Sequence, residues 1–546
     1  PVRIKLKNKR MRKILILFAG SLISGSLLAG GLVTNTNQSA MFTRLQNRNA
    51  STGIDAVYFN PAGLTKLGNG FFASINNQTI GQTKTVNTTF PWITGSPVDY
   101  VGKVSAPVYP GVYAAYNTGK FSFSAGFNPI GGGGGATYND GLPSFEMPIS
   151  GIPASLTNSG ISTSAYTADI FFEGSSVYFG IQANVAYKIN DELSVAAGVR
   201  IVSAKNTYNG YIRNIMINPN YPAFGAIYNG AMNPASAFFT AGATTLNTLA
   251  TSATALATGL ASVPAGTPLT SLPEPTRTQV LTVLGAANVN TTGMTVGVAI
   301  PTLNGASTQF AAKATVMSGN ATATENKDVD AEQTGLAYTP ILSVNYSPSD
   351  KINLSARYEF KTNLELTTAL IDNKGGGIFI DGDKSPADLP AILSLGADIK
   401  PVEKLSVAAS FNMYFDKNID YDGTYLKEVE QIDKNFLEYG LGVEYGINDK
   451  LRASIGWVAT NTGVLPAYQS DQRYSTNTNS LGCGFGYRIS PMIDINVGGQ
   501  YTFYAEDAQS YPYPNATTPL FTYNQTYNKK TWIVGVGLDL YFGKTE

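Results

Sequence analysis

The 546-residue chain has no histidine and a single cysteine. Without histidine there is no imidazole base, no Ser-His or Cys-His nucleophile pair and no usual zinc ligand. The lone Cys483 excludes internal disulfides, thiolate zinc clusters and iron–sulfur sites. Charge is scarce as well: Asp, Glu, Lys and Arg make up 14% of the residues, against about 25% in ordinary soluble domains. The 37 basic and 37 acidic side chains cancel, so no basic surface for nucleic acid is expected. No catalytic residue, metal or cofactor is assigned, and the chain does not read as an enzyme.

One apolar run stands out. Arg3, Lys5, Lys7, Lys9, Arg10, Arg12 and Lys13 precede the uncharged stretch from Ile14 to Val33, which passes through Ala29-Gly30-Gly31. A basic start, an apolar middle and a small-residue exit make residues 1–29 a secretory signal peptide. Without it, 30 basic and 37 acidic residues remain, a net charge of −7. No second stretch is long enough for a transmembrane helix.

What is abundant is glycine, with 56 residues, and aromatic side chains, with 31 Tyr and 26 Phe. Apolar and polar residues alternate in many places. Ile352, Leu354, Ala356, Tyr358 and Phe360 alternate with Asn353, Ser355, Arg357 and Glu359. Trp532, Val534, Val536, Leu538 and Leu540 alternate with Gly535, Gly537, Asp539 and Tyr541. Period-2 alternation in an exported, charge-poor chain suits a membrane β-barrel, apolar towards lipid and polar towards the lumen. Short turns at Gly119-Lys120, Asn190-Asp191, Pro348-Ser349, Pro401-Val402, Asn448-Asp449 and Pro491-Met492 separate hairpins, and longer loops join one hairpin to the next. Strands are expected at 69–82, 104–117, 120–128, 174–188, 192–206, 327–347, 351–369, 388–400, 404–417, 434–447, 450–461, 476–489, 492–506 and 529–542. Fourteen antiparallel strands put both ends of an all-β barrel, residues 69–546, on one side of the membrane.

Residues 30–68 do not alternate and would be either a periplasmic extension or a plug. The insertion 207–326 is almost free of charge. Phe239, Leu246, Leu249, Leu256 and Leu260 recur there at helical spacing, and a second helix is expected over 275–287. Their apolar stripe would form a groove capturing hydrophobic ligand, or pack the loops against one another. Arg200, Arg357, Lys361 and Arg452 fall on inward positions, with Glu359, Glu438, Glu444, Asp494 and Asp539. Such charges are expected to pair with each other and with a plug, although any of these cations could contact a ligand. Gly131 to Gly135 lacks the strand–loop–Lys–helix order of a phosphate site. Gly482, Gly484 and Gly486 share one strand face, a sign of close packing against something in the lumen.

The segment Asn49 to Leu67, NASTGIDAVYFNPAGLTKL, resembles the N-terminal hatch of the FadL/TodX family of outer-membrane transporters for long-chain fatty acids and hydrocarbons. Gly30-Gly31-Leu32, Asn37-Gln38-Ser39-Ala40 and Asn60-Pro61-Ala62 stand where that family has its N-terminal start, a polar stretch and its Asn-Pro-Ala motif. Phe121 to Ile130 with Gly131 resembles its third strand, which is kinked and opens a gap in the wall. The resemblance implies a fourteen-stranded barrel plugged by hatch 30–68, with Leu32, Asn60, Pro61 and Ala62 near the ligand. It makes Phe127, Asn128, Pro129, Ile130 and Gly131 a lateral gate. Leu32 replaces the family's usual Phe, and the insertion is unusually large. The function implied is passive uptake of a hydrophobic small molecule, such as a long-chain fatty acid, released sideways into outer-membrane lipid by a monomer. A wider porin-like channel and a surface receptor or adhesin are the alternatives.

Overall fold

The computed structural model describes residues 34–419, 431–515 and 518–543. The expected signal peptide and Leu32 lie outside the described residues. The described chain forms two compact units: residues 34–144, 170–211 and 328–543, and residues 145–169 and 212–327.

The first unit is built on a closed antiparallel sheet. Its strands are β1 Gly70–Thr88, β2 Val98–Thr118, β3 Phe121–Tyr138, β4 Tyr166–Lys188, β5 Leu193–Ile217 and β6 Lys327–Ser349. Then come β7 (Ile352–Glu359 and Glu365–Gly375), β8 (Lys384–Pro386 and Ile392–Val402), β9 Leu405–Tyr414 and β10 Phe436–Gly446. The last are β11 Leu451–Asn461, β12 Thr478–Ser490, β13 (Ile493–Tyr504 and Asp507–Tyr513) and β14 Phe521–Tyr541. Each strand pairs with its neighbours in sequence, and β14 pairs with β1 from Phe72↔Tyr541 to Thr88↔Gln525, which closes the barrel.

All fourteen expected strands are present, joined by the six expected short turns. The differences lie at the long-loop ends, where β1, β2, β3, β4, β5, β7, β13 and β14 each run six or more residues beyond the alternating stretch. Beyond the lipid the outward face need not be apolar, so the ladder continues after the hydrophobic signal stops. The insertion therefore spans 218–326, since β5 continues to Ile217.

Alternation sorts the side chains. Leu336, Tyr338, Leu342 and Val344 on β6 are exposed, as are Leu441 and Val443 on β10 and Trp532, Val534 and Val536 on β14. Their inward neighbours Gln333, Thr339, Ser343 and Asn345 are buried. A closed wall that turns large apolar side chains outward on every side is a surface for lipid. The barrel spans a membrane. Among the described residues no helix is long and apolar enough to do so.

Ahead of β1 lie two short helices, α1 Ala40–Leu45 and α2 Ala56–Phe59, and a 3-10 turn, Pro61–Lys66. Ser39 caps α1, its hydroxyl accepting from the Phe42 amide at 3.1 Å.

The second unit is largely helical. After α3 Pro143–Ser150 and α4 Ile152–Asn158 come α5 Ala235–Leu260, α6 Thr276–Ala286 and α7 Val296–Ala323. The first two of the long insertion were expected; α7 was not. Its apolar positions Val296, Ala299, Leu303, Ala306, Phe310 and Ala314 are mostly small, so they give a weak periodic signal although they form a buried face. Exposed Thr244, Thr248 and Thr258 bond back to carbonyls four residues earlier, which satisfies their hydroxyls on the helix itself; the buried alanine and leucine face holds the threonine-rich segment helical.

The groove expected on α5 is not open. Phe239, Leu246 and Leu260 are buried, and Leu249 and Leu256 pack on the cluster that α5 shares with α6 and α7. Alanines on both helices let α7 approach closely enough for the Ser307 hydroxyl to donate to Ala250 O at 2.9 Å. The apolar stripe thus packs the helices against one another, the second of the two readings open from sequence.

Candidate functional site

Residues 34–68 fill the lumen, because they touch the inward face of every strand. Asn37 bonds to Gln78 on β1, Gln38 accepts from Tyr113 on β2 and Asn128 on β3, and Val57 O accepts from Gln182 on β4. Ala62 O accepts from Ser194 on β5, and Asn60 donates to Asn345 on β6 at 2.7 Å. Asn49 meets Ser355 on β7, Leu395 O on β8 and Asn412 on β9. Thr36 donates to Glu438 on β10, and Arg44 bonds to Ser454 on β11 and Asn496 on β13. On β12 and β14 the contact needs glycine: a Cβ at Gly482 or Gly535 would run into Thr43. The segment is a plug, the second of the two placements open from sequence.

Two arginines hold it. Arg48 lies against Asp55 in a two-pronged pair, 2.9 Å on each prong, and Ser51 and Ser39 donate to the same carboxylate at 2.6 and 3.0 Å. Burial alone would raise the Asp55 carboxyl; the Arg48 charge and these hydrogen bonds outweigh it and hold the group below its usual range. This clasp ties the plug to itself. Arg44, fully buried, ties it to the wall by pairing with Glu444.

The expected ligand residues of the plug have a mooring role. Asn60 donates to Ser51 O at 3.0 Å and accepts from Ser343 at 3.1 Å, while the Ala62 amide donates to the Ser343 hydroxyl. Pro61 opens the buried 3-10 turn between them. All three are buried, and Asn60 and Ala62 are held against β5 and β6 by these contacts.

The four expected lumen cations are all paired. Arg200 and Arg357 share Glu359, and their guanidinium carbons each lie 4.8 Å from the Tyr58 ring centre. Lys361 pairs with Asp388 at 2.6 Å and Arg452 with Asp494 at 2.9 Å. Only Arg200 of the four lines the cavity described next.

The wall is interrupted between β2 and β3. Pairing runs from Thr118↔Phe121 to Val112↔Phe127, then stops until Val104↔Ala136. Residues 105–111 and 128–135 therefore have no ladder between them. Pro107, Pro110 and Pro129 lack N–H groups and cannot donate there. On its other edge β3 stays paired with β4, although its register shifts at Pro129/Gly131 and Gly131/Gly134. Gly132, with φ +98°, has the Ser176 carbonyl where a Cβ would stand, so only glycine fits this bend.

The start of the described plug occupies the gap. Thr34 bridges Gly131, and the Asn35 amide donates to Ile130 O at 2.9 Å. The Asn35 side chain donates to the Tyr109 hydroxyl at 3.2 Å and to Gly132 O at 3.4 Å, and that hydroxyl donates to Pro129 O at 2.9 Å. Carbonyls that β2 leaves unpaired are thus satisfied by the plug and by one tyrosine. Phe127 stacks on Phe179 of β4 with ring centres 5.4 Å apart, and Asn128 donates to Gln38 at 2.6 Å. Beside the gap is a cavity of about 10 Å³ lined by Thr34, Tyr58, Ile130, Arg200, Glu359 and Leu389, enough for about one water molecule.

The expected gate residues Phe127 to Gly131 thus border the gap. Thr34, Asn35, Tyr58 and Tyr109 were not singled out from sequence. Tyr109 could have been: it lies between Pro107 and Pro110, a pairing defect in β2 at the level of the one flagged in β3.

No family profile matches the sequence, and no characterised protein matches it by sequence. Solved structures do match. A FadL homologue from Pseudomonas aeruginosa superposes with a TM-score of 0.55 at 12% identity, covering 94% of this chain and 100% of that one. The Pseudomonas putida toluene transporter TodX gives 0.47 at 12% identity over 93% and 99% of the two chains. The Ralstonia pickettii toluene transporter TbuX gives 0.45 at 14% over 90% and 94%. With its plugged, closed fourteen-stranded wall, this chain has the fold of the Pseudomonas aeruginosa FadL homologue.

Proposed function

We propose that the protein is an outer-membrane channel for passive uptake of a hydrophobic small molecule, with long-chain fatty acids the preferred class. The observation that supports this most directly is the stoppered gap. A wall that lacks its ladder over residues 105–111 and 128–135, and is closed there by Thr34, Asn35 and Tyr109, is a door rather than a sealed barrel. A plug touching all fourteen strands argues against a wide porin. A ligand leaving through this gap would displace Thr34 and Asn35, which close it. Leaving sideways keeps an alkyl chain out of water, and its burial is worth about 0.8 kcal/mol per methylene. Release into the periplasm would forfeit that energy.

The test is a reversible lock. Thr34 and Gly131 are bridge partners across an antiparallel contact, a spacing compatible with the roughly 4.4–6.8 Å between α-carbons that a disulfide needs. With Cys483→Ser as background, the oxidised Thr34→Cys/Gly131→Cys variant is expected to take up no labelled oleate, and reductant should restore uptake. Undiminished uptake through the oxidised form would refute lateral release at this gap.

A further inference from the structure

We propose that Lys103 and Lys530 form a docking site, on the outer surface of the barrel, for a phosphate of a phosphorylated glycolipid in the outer leaflet. The site is on the lipid side of the wall and is independent of what the channel carries. Both lysines are exposed. Lys530 shares its face of β14 with exposed Trp532, Val534 and Val536, while its neighbour Thr531 is buried inward. Lys103 stands between buried Gly102 and Val104 on β2. Thr83, exposed on β1, pairs with Lys530 on one side and with Lys103 on the other. The two lysines are thus two strands apart, about 10 Å between α-carbons, and their flexible stems can converge on a single phosphate over Thr83.

The apolar band of the wall sets the height of this pair. On β14 the outward apolar side chains run from Phe542, just past the strand, to Trp532. At about 3.3 Å per residue that stretch is about 33 Å along the strand, or about 25 Å across the membrane at a tilt of about 40°. This is the full height of the apolar band of an outer-membrane barrel. Lys530 is the next outward residue on the long-loop side, beyond the Trp532 ring, which lies over Gly81. A tryptophan at that level marks where hydrocarbon ends. Long loops of such barrels face outside, and the polar layer met first there carries the glycolipid phosphates.

The protein itself does not neutralise the pair. Lys205, turned outward beyond the apolar stretch of β5, is matched by Glu332 on β6 at 2.7 Å. Among the described residues Lys103 and Lys530 have neither an ion pair nor a side-chain hydrogen bond. Asp99, further along β2, accepts from Asn87 at 2.6 Å, and Glu173 stands across Thr137 from Lys103 without forming an ion pair. Ammonium groups beside the head groups of anionic lipid attract them, and a phosphate gains charge-assisted hydrogen bonds from both. The surroundings suit a glycolipid. Exposed Phe503 on β13 is the partner of Lys530, and with Trp532 it offers rings to acyl chains. On the loop side Thr85 and its partner Asn528 continue the outward face with a hydroxyl and an amide for sugar hydroxyls.

The experiment titrates the purified full chain in detergent with diphosphorylated lipid A, or with phosphatidylglycerol, which brings a lipid phosphate without the sugars. Bound lipid is counted by native mass spectrometry for wild type, Lys103→Gln/Lys530→Gln, Lys103→Arg/Lys530→Arg and, as a control on the same surface, Lys205→Gln. Gel mobility without boiling checks the fold, and the single variant Lys530→Gln carries the test if the double one does not fold. Expected are a loss of lipid A affinity of about tenfold or more in the double glutamine variant, affinity kept in the arginine and Lys205→Gln variants, and a wild-type preference for lipid A over phosphatidylglycerol of about tenfold. Wild type that binds no lipid A, undiminished affinity in the glutamine variants, or an equal loss in Lys205→Gln would overturn the site. Equal affinity for phosphatidylglycerol would overturn its assignment to a glycolipid. None of these outcomes bears on uptake, so the two readings fail separately.

Discussion

Tyr109→Phe tests the door most sharply, because it deletes one oxygen and leaves the ring in place. The closed position of the plug's first residues rests on three hydrogen bonds, Asn35 to Ile130 O, to Gly132 O and to the Tyr109 hydroxyl, which itself donates to Pro129 O within the wall. At about 0.5–1.5 kcal/mol net for each, the three hold the plug's start in place by about 1.5–4.5 kcal/mol. About six methylenes of ligand, at about 0.8 kcal/mol each, would offset even the upper figure. The substitution removes one of the three, so the closed state should lose about 0.5–1.5 kcal/mol. The open fraction should then rise about 2- to 13-fold, with each 1.4 kcal/mol worth about tenfold. The assay is maleimide labelling of Thr34→Cys in a Cys483→Ser background, since labelling follows the open fraction while opening is fast. Uptake of short-chain acids should rise alongside, because they bring less burial energy. Labelling within twofold of the parent, in protein whose unboiled gel mobility shows an intact barrel, would mean that the hydroxyl does not hold the door.

Three other outcomes are expected. Gly456→Val would drive a side chain into the Leu45 carbonyl, so it should displace the plug and raise conductance in a planar bilayer while the barrel still forms; silent pores would refute the close fit. The Arg48–Asp55 clasp should be pH-dependent in one direction only: its carboxyl lies below the usual range when folded, so its stabilisation is complete above about pH 4 and is lost as pH falls through the folded value. Protease sensitivity of the plug should therefore appear on acidification, and Asp55→Asn should show it at neutral pH, having left Arg48 buried without its partner at a cost of about 3–5 kcal/mol; loosening on raising the pH would contradict the assignment. Leu303→Asp, in the centre of the α5–α7 core, should lower helical content by circular dichroism, whereas Thr258→Asp on the exposed face should not; equal effects would mean the helices do not pack as described.

Much of the barrel is legible in the chain itself. Alternation belongs to each strand separately: a wall with lipid on one side and a lumen on the other sorts residues two by two, and every short turn carries its own Gly, Asn or Pro. The strand number followed, and so did the meaning of Gly482 and Gly484, which face Thr43 and Arg44. Pro129 pointed to the broken ladder because a missing N–H is a property of the residue, wherever the chain runs. The strand ends at the long loops were not legible, since a wall facing water on both sides has no reason to alternate.

What fills the wall was decided only by the tertiary structure. Arg44 meets Glu444, four hundred positions away, and no local pattern announces such a pair. Residues 34–68 have the same composition whether they hang in the periplasm or plug a pore; their contacts with fourteen strands make the difference. The stripe on α5 is equally mute, because an apolar face looks alike whether it awaits a ligand or is covered by α7. Sequence fixes which surfaces must avoid water, and only the fold determines which other surface covers them.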